Sequence, residues 1–466
     1  MNAKQNLHAT SIVLATLIAS QYLLQSMDIT ATNSGTWGDP TIWNSATVPG
    51  TNDDADIPAG IDVTVSTNAS VQFIYDGGTV TMGANATLTV VGDSAQANGT
   101  QQLGLLDASA AGNTVIYSGN AFWAKHQNYY NLVLSGGGTL YNGEIGQDTY
   151  GDGLTPMIIS GNMTVSGKAS VQEADDFTIN GSLILGGTGS TNVNWDCSLA
   201  NLTVLGNTII GGGATLTDND GAAGNDSFND LTIDTNGTLN ILDSTNWYVL
   251  GNFANNGGTL KGIAYASINF NGSGMITGSP FTLPTLVVNG IYTNEAVINL
   301  NTNTPGLNGT LVFDLANPGA ISLAANAGSG PTFYYSGNLS IINSGPPPAP
   351  GSVFSLFQAQ SYAGAFSSVL LPALPAGMSW ADNLDSSGSI KALGGNSQPR
   401  LSLAAVGGKL TLSWDSATYP GFQIQAQTNS AGIGSAWSNM AGGATTPFTV
   451  DLNQSGPPVF FRLFKP

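Results

Sequence analysis

Residues 201–241 read NLTVLGNTIIGGGATLTDNDGAAGNDSFNDLTIDTNGTLNI. A polar residue followed by apolar, any, apolar occurs twice in this stretch, as Asn201-Leu202-Thr203-Val204 and Asp230-Leu231-Thr232-Ile233. Each copy is followed by a glycine-headed phrase that ends in leucine, Gly213-Ala214-Thr215-Leu216 and Gly237-Thr238-Leu239. Apolar residues at i and i+2 with a polar one between them describe a strand with one buried face. Working outward, the first phrase recurs as Asn131-Leu132-Val133-Leu134, Asn162-Met163-Thr164-Val165, Ser182-Leu183-Ile184-Leu185, Asn252-Phe253-Ala254-Asn255, Thr285-Leu286-Val287-Val288 and Asn338-Leu339-Ser340-Ile341. The second recurs as Gly138-Thr139-Leu140 and Gly258-Thr259-Leu260. Self-similarity at this period is the signature of a solenoid, in which each coil buries its apolar side only against its neighbours. Leu202 and Val204, Leu231 and Ile233, and Met163 and Val165 are expected to stack as interior ladders, with asparagines hydrogen-bonding from coil to coil at the turns.

Composition agrees with an all-β chain. The 61 glycines suit short strands joined by turns, and charged residues are only 8% of the 466, against about 25% in ordinary soluble domains. The formal net charge is −19, and the nine Lys and Arg are scattered rather than clustered. Phosphate recognition needs several cationic contacts, so nucleic acid is not an expected partner. Acidic balance likewise disfavours anionic lipid, while it invites calcium. A single cysteine, Cys197, excludes an intrachain disulfide and a cysteine-based zinc site, and is expected to pack as a small apolar group.

The chain opens with Lys4, an apolar run from Ser11 to Ala19, and no charge between Lys4 and Asp28, the pattern of a signal peptide or N-terminal anchor over residues 1–27. Residues 28–95 carry Trp37, Trp43 and Pro49 followed by alternating strands, among them one from Val71 to Tyr75. They are expected to cap the exposed first coil. The repeats fill 96–345, and NSGPPPAPGS (343–352) breaks the pattern. A proline-rich linker and terminal coils are assigned to 346–395, and closely spaced strands such as GFQIQAQT and VFFRLF place a small β-sandwich in 396–466.

These residues resemble secreted bacterial surface proteins built on a right-handed parallel β-helix, similar to autotransporter passenger regions and filamentous adhesins. The resemblance rests on NWYVLGNFANNGGTL (246–260) and ASINFNGSGMITGS (266–279), with an opening that looks like that of G8-type domains and an end, LTLSW to VFFRL, that looks like a terminal β-sandwich module of exported bacterial proteins. It implies an exported structural or adhesive protein of the cell surface or matrix, with extracellular glycans, surface proteins or further copies of itself as partners. The alternative is a β-helix carbohydrate-active enzyme, a polysaccharide lyase or hydrolase.

The densest chemistry lies in residues 117–153. Trp123, His126, Tyr129, Tyr130, Tyr141, Glu144 and Tyr150 form a candidate glycan-binding surface, because aromatic faces with polar tips suit a half-wet sugar site. A long loop packed by its own aromatics would use the same residues. Glu144 or Asp148 would supply the acid or base if the site turned over substrate, but no catalytic residue is assigned. Asp218, Asp220 and Asp226 in TDNDGAAGND are the candidate calcium ligands, although Asp-Gly is also ordinary turn chemistry.

Overall fold

The computed structural model describes residues 27–92, 105–120, 123–124, 127–142, 156–173, 176–197, 200–218, 225–242, 246–262, 267–283, 285–301, 305–323, 332–394, 399–417, 419–428, 433–434, 436–452 and 457–466. The fold is all-β and dominated by parallel pairing; among the described residues helix is confined to Pro40–Ile42 and Leu384–Ser387.

Strands fall into three parallel ladders, in which a strand pairs with the one two to four places further along the chain. The first ladder runs through Thr114–Tyr117, Asn131–Leu134, Met163–Val165, Leu183–Leu185 and the second half of Leu202–Ile210. It continues through Asn225–Asp234, Phe253–Asn256, Ser273–Gly278, Ile291–Asn294 and Thr310–Asp314 to Asn338–Ile342 and Ser368–Leu370. The second contains Met157–Ile159, Phe177–Ile179, the first half of Leu202–Ile210, Asn225–Asp234, Asn246–Val249, Ser267–Phe270 and Leu286–Val288. The third contains Thr139–Asn142, Ser170–Glu173, Val193–Asp196, Ala214–Asp218, Thr238–Ile241 and Thr259–Gly262. Among the described residues, the first and second ladders join where Leu202–Ile210 and Asn225–Asp234 run unbroken around the corner between them. Thr114–Tyr117 also pairs with Thr87–Val90, and the first ladder is open at both ends, since among the described residues Ala69–Val71 pairs only with Thr87–Val90 and Ser368–Leu370 only with Asn338–Ile342.

Alternation decides which residues point inward. Leu231 and Ile233 are buried with Thr232 between them half-buried, and the same holds for Met163, Thr164 and Val165. The eight copies of the repeated phrase, however, divide between two ladders. Leu202 and Val204 pair with Phe177 and Ile179 in the second ladder, and Leu286–Val288 also lies there; in the first ladder the same coil presents Thr208 and Ile210. The expected stacking of Leu202 over Met163 and Leu231 is therefore corrected: period two identifies a buried face without saying which face. The expected strand from Val71 to Tyr75 is likewise two, Ala69–Val71 and Phe73–Asp76, on different ladders.

Asparagine does bind coil to coil, mainly to backbone rather than amide to amide. Oδ1 of Asn131 accepts from the backbone N–H of Asn162, and Oδ1 of Asn162 accepts from that of Ser182, both at 2.8 Å. Asp230 takes the same role toward Asn252 at 2.6 Å, and Asn252 toward Met275 at 3.0 Å. Each bond satisfies a donor at a corner where the strand ladder cannot.

Aromatic clusters lie toward both ends of the ladders. Trp37 and Trp43 are buried edge to face, 5.2 Å between ring centres, and the Trp43 indole donates to the Trp37 carbonyl. Phe313, Phe333, Tyr335, Phe357 and Phe366 cluster at the far end. Two compact units are present: one holds residues up to 347 with 353–373 and 381–391, the other 348–352, 374–380 and 392–466. In the second unit, antiparallel sheets formed by Ser402–Val406, Lys409–Ser413 and Phe448–Asp451, and by Ser438–Asn439, Gln423–Thr428 and Val459–Phe464, share a core of Leu412, Trp414 and Ile424.

Candidate functional site

The aromatic-rich segment is partly interior. Tyr117 and Tyr129 are 2% and 0% exposed, with their phenolic oxygens 3.2 Å apart. Burial, and then the neighbouring Tyr117, holds the Tyr129 phenol well above its ordinary range. Tyr129 thus packs the core between Ala108 and Ile159 and offers no ring face to a glycan, which corrects its place among the candidate sugar-binding residues. Tyr130 is half-buried. Trp123 and Tyr141 belong to third-ladder strands, Trp123 opposite Thr139 and Tyr141 opposite Gln172. His126, Glu144, Asp148 and Tyr150 lie outside the described residues.

The candidate calcium ligands form a different arrangement. Asp218 ends one strand and Asp226 begins near the start of the next, and each is 1% exposed. Asp226 occupies an inward slot of the second ladder, directly opposite Trp247. Its Oδ1 accepts from the Leu202 backbone N–H at 2.8 Å and its Oδ2 from the Cys197 thiol at 3.4 Å. The Trp247 indole donates to Asp218 Oδ2 at 2.7 Å, and the Asp218 carboxyl lies close enough to Asp226 to disfavour a charge there. Burial drives the Asp226 carboxyl well above the usual carboxylate range, the Leu202 N–H opposes, and the charge of Asp218 adds to the rise. Cys197, expected as an inert apolar filler, is a buried donor to this pair and to the Thr217 carbonyl. Asp220 lies outside the described residues, and among those described no group of three or more His, Cys, Asp or Glu gathers as a metal site.

This pair has a readable pH dependence. A carboxyl whose folded pKa exceeds its unfolded value contributes stability that is complete below the unfolded value, about 4, and is lost as pH rises through the folded one. Asp226→Asn keeps an acceptor for Leu202 without titrating. We expect the variant to be more stable than the parent at pH 7, by on the order of 1 kcal/mol, with the difference shrinking as pH falls toward 4. Thermal unfolding of both proteins across that range checks it. A variant less stable at pH 7, together with a parent destabilised by EDTA, would instead indicate a cation held by these carboxylates.

Outward-facing residues also align from coil to coil. In the third ladder Thr139, Ser170, Asn194, Thr215, Thr238 and Thr259 form one column, with the first two hydroxyls 2.8 Å apart. In the first ladder Ile116, Val133, Thr164, Ile184, Ile209, Thr232, Ala254 and Thr277 form another. Neither column contains a charged residue. Sequence reading found the alternation that aims these side chains outward but not their alignment, which depends on corner lengths. No known protein family, curated protein or solved structure matches the chain.

Proposed function

We propose that the chain is an exported structural and adhesive protein of the bacterial cell surface or extracellular matrix, built as a right-handed parallel β-helix followed by a small β-sandwich. Three parallel ladders advancing together, one strand each per coil, support the solenoid. The aromatic ends fit it, because a stack of parallel strands must protect its first and last edges. The observation that carries the adhesive reading is the pair of uncharged outward columns. A flat, regular face of Thr, Ser, Asn and β-branched residues meets another surface with little desolvation cost and little repulsion, whereas a charged face would need matched partners. Leader composition supports export.

The test places charge in the middle of a column. Thr215→Arg/Thr238→Arg alters two half-buried outward positions whose long side chains reach solvent. The full chain is expected to sediment with itself or to be retained on extracellular polysaccharide in a way that persists in high salt, and the double variant is expected to lose that retention at an unchanged melting temperature. A parent that stays monomeric and is retained on no polysaccharide overturns the proposal. Release of new reducing ends or unsaturated sugars from the polysaccharide would favour the enzyme reading instead.

A further inference from the structure

A cleft of about 280 Å³ lies beside the first strand of the first ladder, lined by Trp37, Pro49, Thr51, Thr67, Asn68 and Ser70 among others. Three local features build it. Trp37 follows the strand Gly35–Thr36 and is pinned by its backbone N–H to the Thr64 carbonyl. Residues 48–51 turn into the strand Asp53–Ile57, with the Gly50 N–H held by Asp53 Oδ2 at 2.9 Å. Residues 67–70 lead into Ala69–Val71, whose other edge is unpaired among the described residues.

The chemistry of the walls is specific. Trp37 is 3% exposed, and its indole N–H has no acceptor among the described residues. An orphaned buried donor costs about 1–3 kcal/mol, and a small opening of the wall that let an acceptor reach it would be rewarded. The side chains of Thr51, Thr67, Asn68 and Ser70 make no hydrogen bond within the described chain, and Thr51, Thr67 and Asn68 are exposed at the rim. Pro49 and Val48 add apolar wall. No ionisable side chain lines the cleft, and the carboxylate closest in sequence, Asp53, is engaged by Gly50. Hydroxyls and an amide that both donate and accept, set against the apolar wall of Pro49 and Val48, match an uncharged polyhydroxylated ring. The volume is at the small end of ligand pockets, roughly 300–1,000 Å³, which suits one or two such rings.

We propose that this cleft binds a neutral saccharide, one or two sugar residues deep; the inference rests on the adhesive reading and gives it a site. The probes are glucose, galactose, mannose, N-acetylglucosamine and the β-1,4- and α-1,4-linked glucose tetramers, with a tetramer of galacturonic acid as the charged control. The readout is the indole N–H resonance of Trp37 in the full chain carrying ¹⁵N-tryptophan, assigned with Trp37→Phe. At least one neutral sugar is expected to shift that resonance saturably, and Thr67→Ala/Asn68→Ala to weaken the binding about tenfold at an unchanged melting temperature. No shift with any neutral probe, a shift that the double variant leaves intact, or preference for the charged tetramer overturns the proposal. Whole-protein retention on polysaccharide that survives Thr67→Ala/Asn68→Ala would overturn the cleft alone and leave the adhesive reading standing.

Discussion

Trp247→Ala is expected to lower unfolding stability by about 4 kcal/mol, in the upper part of the range for truncating a buried aromatic, as measured by urea denaturation of the full chain. Two losses combine. Trp247 is 0% exposed and lies against Phe228, 4.9 Å between ring centres and 21° between planes, so alanine leaves a void beside that ring. Its indole also supplies a 2.7 Å hydrogen bond to the buried Asp218 carboxyl, and the variant loses that bond. Trp247→Phe separates the terms: it keeps most of the packing and removes only the donor, so its cost should be about 1–3 kcal/mol. Because repeats are held by their neighbours, the damage should extend to the coils on either side. Hydrogen exchange of Leu231 and Ile268 should then accelerate while that of the second unit's Ile424 does not change. Equal costs for the two variants would mean that the Asp218 bond contributes almost all of the effect.

The buried acids show where sequence reading stops. TDNDGAAGND has the composition of a cation-binding turn, and composition does not report burial. One signal was available: counting by two from Phe228, an inward residue, places Asp226 inward as well, which is not where a solvated turn acid belongs. The strand faces themselves were legible, because Leu231 and Ile233, or Leu183 and Leu185, alternate with outward residues whatever the rest of the chain does. What period two could not supply was the ladder to which each strand belongs, and Asn201-Leu202-Thr203-Val204 was accordingly aligned with the wrong neighbours. A partial mark lies one residue upstream. Many first-ladder strands are entered through a glycine, Gly161, Gly181, Gly206, Gly251, Gly290, Gly309 and Gly337, whereas Leu202 and Leu286 are entered through Asn201 and Thr285; the first-ladder copies at Asn131 and Asp230, preceded by Tyr130 and Asn229, lack it. In the cleft, Trp37 was legible as an anchoring aromatic, but nothing in the sequence singles out Thr67 and Asn68, because the space beside them is closed by residues 48–51 of another turn.

Those glycines make the second large prediction. Of the series, Gly161, Gly181, Gly206, Gly251, Gly290 and Gly309 do not have the left-handed backbone that ordinarily selects glycine; what they share is the absence of room. A Cβ on Gly290 would lie 1.8 Å from the carbonyl oxygen of Gly272, one on Gly309 2.1 Å from that of Gly290, and one on Gly206 2.4 Å from that of Gly181. The obstacle is the backbone of the preceding coil, which cannot rotate away as a side chain could. Gly272 O is also the acceptor for the Ile291 N–H at 2.9 Å, so relief of the clash must stretch the bond that sets coil spacing at this corner. Gly290→Ala is therefore expected to cost about 3 kcal/mol, at the high end for overpacking, even though alanine has the lower conformational entropy in the unfolded chain. Gly38→Ala is the matched control: nothing lies within 4 Å of its added Cβ and its φ is not left-handed, so its effect should stay within about 0.5 kcal/mol. If Gly290→Ala unfolded at the parental urea concentration, adjacent coils would have to be separable at this corner without loss, and the stack could not derive its register from carbonyls pressed against glycine.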